Sequence, residues 1–151
     1  MIKIIAIGRK HEVWIADGLQ RYQKRLVKPW NSEWVLLPHS AREGLAARQE
    51  ESERILAKLT PNDFVILLDE RGKLLDSPAL SRQLEQAFII GKTPVIIIGG
   101  AYGVDDTITA RANLIWSLSP LVFPHQLVRL ILAEQLYRAQ EIAAGHPYHH
   151  E

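Results

Sequence analysis

Residues 94–106 read Pro94-Val-Ile-Ile-Ile-Gly-Gly-Ala-Tyr-Gly-Val-Asp-Asp106, PVIIIGGAYGVDD. An unbroken apolar run stops at Gly99-Gly100, and a third glycine and two carboxylates follow directly. A strand whose apolar residues do not alternate with polar ones is covered on both faces, which is the pattern of a parallel sheet between two helical layers. Similar runs recur at IKIIAIG (2–8), EWVLLP (33–38), FVILLDE (64–70) and NLIWSLS (113–119), so five strands are expected.

Helical spacing fills the gaps. Ile15, Leu19, Tyr22 and Leu26 share one face, and Leu80, Leu84, Ala87 and Phe88 another; Leu45, Ser52, Ile55, Leu56 and Leu59 fit more loosely. Ser77 followed by Pro78 predicts a helix start with Ser77 as N-cap. A last helix is expected from about Pro124 to Ala144, stopped by Gly145. The short connection 101–112 has room for one or two helical turns. Strands alternating with helices make this an α/β fold, a mostly parallel sheet flanked by helices.

The chain has 151 residues, 47% of them hydrophobic, enough for one domain spanning 1–151 and too few for two. It has no cysteine, which removes disulfides, thiolate nucleophiles and thiolate metal sites and suits the cytoplasm. No apolar stretch is long enough to cross a bilayer, so no membrane role is expected. Formal net charge is +1, so a nucleic-acid partner must be held by a local patch.

Ligands of open α/β sheets bind at the carboxyl ends of the strands, which points to the loops after 70, 98 and 118. The Gly99–Gly103 loop lets a backbone approach a ligand closely, yet it has neither Gly-Lys-Ser/Thr nor G-x-G-x-x-G. No cation lies between Lys92 and Arg111, and Asp105 and Asp106 add negative charge. An uncharged or cationic nucleoside fits this loop better than a triphosphate. The ordinary alternative is a tight strand-to-helix turn with aspartates at the helix start. Leu118-Ser-Pro-Leu-Val-Phe123 supplies an apolar loop at the same edge, suited either to a flat purine or to core packing.

Three further features are singled out. Arg21, Lys24, Arg25 and Lys28 form a basic stripe opposite the apolar face of the first helix, with Trp30 and Trp34 nearby; it suits an RNA backbone, or is simply a solvated face. Glu134 and Arg138 stand four apart, the spacing of a surface or dimer-interface ion pair, with a substrate-side role as the alternative. The tail after Gly145, HPYHHE, is rich in titratable groups; without other information it reads as a frayed end, or as an adventitious metal binder.

Taken together and in order, MIKIIAIG, IIGGAYGV, WSLSPLVFPHQLVRLILAEQLYRA and HPYHHE resemble the RlmH family of SPOUT-class methyltransferases over essentially the whole chain. The resemblance implies a C-terminal trefoil knot, a homodimer and S-adenosylmethionine as methyl donor. The implied reaction is N3-methylation of a pseudouridine in the intersubunit stem-loop of large-subunit rRNA, on the assembled ribosome. It places cofactor contacts at Leu68, Gly100, Leu118, Ser119, Pro120, Leu121, Val122 and Phe123, and no metal. It places catalytic or substrate-positioning work on Tyr148 and His149 and on the following His150 and Glu151. Family members commonly carry Arg or Lys where this chain has His150, and imidazole is not a permanent cation. Which group takes the proton from N3 is left open. A branched residue at Gly100 is expected to occupy ligand space, and the tail of one subunit to close over the pocket of the other. The reading from another class is a noncatalytic nucleotide- or RNA-binding α/β module.

Overall fold

Five strands form one sheet: β1 (Ile2–Ile7), β2 (Ser32–Leu37), β3 (Asp63–Leu74), β4 (Thr93–Ile98) and β5 (Leu114–Ser117). Their order is β2-β1-β4-β3-β5 and every neighbouring pair is parallel. Helices α1 (Val13–Gln23), α2 (Gly44–Leu56), α3 (Ser77–Ile89), α4 (Asp106–Arg111) and α5 (His125–Ala143) complete the chain. The computed structural model describes residues 1–150; the expected site residue Glu151 lies outside the described residues.

Alternate residues of each strand enter different cores. Ile2, Ile4, Ala6, Ile66, Ile96, Ile98 and Trp116 pack with Leu80 and Leu84 of α3 and Leu132, Leu136 and Ala139 of α5. Ile5, Ile7, Leu37, Val65, Leu67, Val95 and Ile97 pack on the opposite face with Ile55 of α2 and Ile108 of α4. Helices on both faces are why the runs show no polar alternation. A third, smaller cluster fixes α1 on α5 through Ile15, Leu19 and Ala133.

The expected elements form, with local differences. Asp76, not Ser77, caps α3, accepting from the Ala79 amide at 2.8 Å, while Ser77 Oγ donates to Gln135 Oε1 on α5 at 2.6 Å. Aspartate is as good a cap as serine, and the hydroxyl is occupied elsewhere. On α2 the buried residues are Ala47, Glu51, Ser52 and Ile55, whereas Leu45 and Leu56 are exposed. Two polar residues on that inward face are what blurred its periodicity. Trp30 is core, edge-on to Phe88 at 5.1 Å, and so is no exposed platform for RNA. The 101–112 connection contains α4, capped by Asp105, which accepts from Thr107 and Ile108.

The third strand runs further than expected. Trp116 of β5 pairs first with Leu68 and then with Lys73, so residues 69–72 bulge out and the strand resumes beyond them. Gly72 sits against the backbone of β5, where an added Cβ would lie 2.6 Å from the Ile115 carbonyl oxygen. No side chain fits that approach without a backbone shift. Gly72→Ala is therefore expected to destabilise the fold by about 1–3 kcal/mol in urea unfolding; unchanged stability would show that β3 and β5 part there without cost.

Candidate active site

The carboxyl ends of β3 and β4 and the loop after β5 enclose a cleft of about 450 Å³. Of the expected contacts, Leu68, Gly100, Leu118, Ser119, Leu121, Val122 and Phe123 line it, and Pro120 does not. Leu121 and Val122 are 69% and 77% exposed, an apolar wall open to solvent. Two serines shape this loop: Ser117 Oγ donates to the Ser119 carbonyl, and Ser119 Oγ accepts from the Leu121 amide, each at 3.0 Å.

Several lining or supporting residues were not foreseen. Arg71 lines the cleft but is paired with Asp69 at 2.9 Å, and that hydrogen bond holds the Asp69 carboxyl below its usual range. Tyr102 and His125 also face it. Cations absent from the Gly loop's own sequence thus reach it from elsewhere, Arg48 donating from α2 to the Tyr102 carbonyl at 2.8 Å. Ser52 Oγ, also on α2, accepts from the Asp105 amide at 3.0 Å. Helix α2 is the loop's buttress.

Gly100 is constrained from behind. An added Cβ would meet Glu51 Oε1 at 2.5 Å and Ile7 Cγ2 at 3.2 Å. A branched residue at Gly100 would thus first strike a buried carboxylate of α2.

The tail is docked, not frayed. Gly145, at φ +73°, ends α5: its amide donates to the Ile142 carbonyl, and that of His146 to the Glu141 carbonyl at 2.9 Å. This double bond is a Schellman turn and sends the chain back along α5. Glu134 and Arg138 then receive it. Arg138 Nη2 lies 2.7 Å from Glu134 Oε1, Nη1 is 3.1 Å from His149 Nδ1, and the guanidinium stands 4.8 Å from the Tyr148 ring centroid. Tyr148 donates to Glu134 Oε1 at 3.3 Å and stacks edge-on with Tyr137 at 4.8 Å. Burial, then the Glu134 charge, push the Tyr148 phenol up from its usual value. His149 lines a second pocket, with Trp116, Leu118 and Gln135, and Leu118 also lines the cleft. His150 is exposed. Neither it nor Tyr148 or His149 lines its own chain's cleft. The stripe Arg21, Lys24, Arg25 and Lys28 is exposed on and just after α1, and Arg25 lies 5.9 Å from the Tyr137 ring centroid.

A family model described as "Predicted SPOUT methyltransferase" matches residues 1–149. The chain belongs to this SPOUT methyltransferase family. Relatives named ribosomal RNA large subunit methyltransferase H are 42% identical in Hahella chejuensis, over 99% of both chains, and 41% identical in Alkalilimnicola ehrlichii, over 98% of this chain and 97% of that one. The solved TrmJ of Z. mobilis shares the fold at a TM-score of 0.50 and 12% identity, covering 93% of this chain and 70% of its own.

Among the described residues of this methyltransferase no three His, Asp or Glu side chains converge as metal ligands would, and no helix is long and apolar enough to cross a membrane. Two histidines near Arg129, one of them lining the cleft, are electrostatically unusual. Burial and then Arg129 hold His11 below its ordinary value; burial, Arg129 and His39 do the same to His125, opposed by Glu51. As pH falls through about 6.5 the unfolded chain takes up these protons while the folded one resists, so stability present above that pH is lost below it. The urea midpoint is expected to drop between about pH 7.5 and 5.5, and the drop to shrink in a His125→Gln variant; an equal drop in both proteins would exclude His125 as a source.

Proposed function

We propose that the protein transfers a methyl group from S-adenosylmethionine to N3 of a pseudouridine in the intersubunit stem-loop of 23S rRNA, on the assembled ribosome in the cytoplasm. One observation carries the reading: an apolar wall exposed to solvent faces a glycine loop across a cleft whose one arginine is already neutralised by Asp69. Such walls suit a flat, phosphate-free adenosine, and a cleft of about 450 Å³ lies in the range of small-ligand sites. Leu68, Gly100 and the 118–123 loop would hold it. When bound, the cofactor supplies an activated methyl group on a sulfonium.

The chain's own groups then align the target base and, as its N3 proton passes to solvent water, steady the negative charge left behind. Tyr148, with its phenol pushed up, keeps its proton near neutrality and acts as a donor once released from Glu134 Oε1, not as a base. His149 accepts at Nδ1 from Arg138, which leaves its proton on Nε2, a second donor. That Tyr148, His149 and His150 do not line their own chain's cleft supports a homodimer in which each tail serves the partner's pocket. The basic stripe Arg21, Lys24, Arg25 and Lys28 meets the tail through Tyr137 and would hold RNA backbone. The knot belongs to the same reading, as the SPOUT family implies; β5 lies beyond β3 and pairs with it on both sides of the bulge.

Mass mapping of rRNA from cells lacking the protein is expected to show one missing methyl on a large-subunit pseudouridine; an unchanged map would remove the assignment. Deleting residues 146–151 should leave calorimetric binding of S-adenosylmethionine intact and abolish methyl transfer.

The shared site has its own test. Val122→Asp spoils the cleft at an exposed position, and His149→Ala spoils the tail. Mixed after confirmed subunit exchange, two inactive proteins should recover roughly a quarter of wild-type activity, since about half the dimers are mixed and each has one complete site. No recovery would place cleft and tail in the same chain.

A further inference from the structure

Glu51 is 3% exposed, an unusual position for a carboxylate on a helix. One oxygen, Oε2, accepts from the Ser40 amide at 2.9 Å and lies 3.9 Å from Nδ1 of the largely exposed His39. The other, Oε1, is buried, and no donor among the described residues reaches it. It faces Gly100, which has no Cβ to separate it from the cleft. Arg129, the buried cation of α5, does not supply that donor: its two terminal nitrogens donate to the carbonyls of Ile7, Gly8 and Lys10. A buried acceptor left without a donor is costly and asks for a reason.

We propose that Glu51 is a charge sensor behind the Gly loop, favouring the positively charged methyl donor over its uncharged demethylated product in the same cleft. The inference rests on the S-adenosylmethionine reading above. A fixed negative charge one glycine away lowers the energy of a cationic ligand and does nothing for a neutral one of nearly the same shape. In a partly desolvated site that difference is not quenched as it is in water. The consequence is directional: after transfer the ligand has lost its charge and with it this attraction, so product leaves more readily than donor.

The test compares two ligands in one pocket. Glu51→Gln keeps the shape and the oxygen that accepts from Ser40, and removes the charge. Calorimetric titration should show S-adenosylmethionine binding weakened roughly ten-fold, with S-adenosylhomocysteine changed by less than about two-fold. Equal losses for both ligands, or no loss for either, would make Glu51 a structural prop and overturn the inference. Glu51→Asp keeps the charge and should keep the wild-type ratio of affinities; a folded Asp variant that lost it would also overturn the inference, which covers the case in which the Gln variant does not fold. Wild-type protein that binds neither ligand would remove the methyl-donor reading together with this one, whereas parallel losses in Glu51→Gln remove this one alone.

Discussion

A single buried guanidinium ties the two ends of this chain together. Arg129 of α5 is 1% exposed, and its Nη atoms reach the carbonyls of Ile7, Gly8 and Lys10 and Nδ1 of His11 at 3.0–3.1 Å. Among the described residues no carboxylate pairs with it; carbonyl dipoles meet its nitrogens at the point where β1 ends. Hydrogen bonds to a charged donor are the stronger kind, and removing the donor would leave several buried acceptors unpaired at once. Arginine's planar fork serves several acceptors in one plane, which a lysine ammonium cannot reproduce. Because α5 also carries His125 at the cleft and Glu134 and Arg138 under the tail, the seat of Arg129 sets the position of both.

The cleft then follows from the sheet. Parallel strands deliver their following loops to one edge, so β3, β4 and β5 bring the bulge, the Gly loop and the 118–123 loop side by side although residues 73–117 separate the first from the last. Loops of this kind need bracing, and α2 provides it with polar side chains: Arg48, Glu51 and Ser52 stand on one face of a helix that packs mainly through Ala47 and Ile55. Polar contacts aimed at backbone groups fix a loop's path more exactingly than apolar packing, since they depend on direction as well as distance.

The parts legible in the sequence are those set by local chemistry. Apolar runs located all five strands, and Gly145 marked the end of α5. Reading ligands to the carboxyl edge led to the loops after β3, β4 and β5; the individual contacts came from the family resemblance, and seven of those eight line the cleft, Leu68 from within β3. What stayed hidden depends on groups distant in sequence. The order β2-β1-β4-β3-β5 is a pairing choice that strand composition does not encode. The burial of Arg129 and Glu51 runs against the usual exposure of their types, and neither has a neighbour in sequence that announces it. The Gly loop was read as free of cations because Arg48 and Arg71 come to it from other elements. Glu134 and Arg138 were recognised as a pair by spacing, yet nothing in that spacing shows that the pair's purpose is to receive Tyr148 and His149.

How firmly the tail is held bears on what it can do. Its attachment consists of an edge-on aromatic pair, a cation over a ring and partly exposed hydrogen bonds, each worth about 0.5–1.5 kcal/mol. Against this stands the backbone entropy of ordering the residues after Gly145, about 1–2 kcal/mol for each. The entropy cost is at least comparable to the sum of these contacts, so the docked arrangement is not a deep trap. A tail bound much more tightly to its own helix could not bend toward an RNA base, and one bound more loosely would have no defined donor geometry to offer. The Schellman turn at Gly145 resolves the conflict by fixing the direction in which the tail leaves α5 while adding little to the strength with which it is held there.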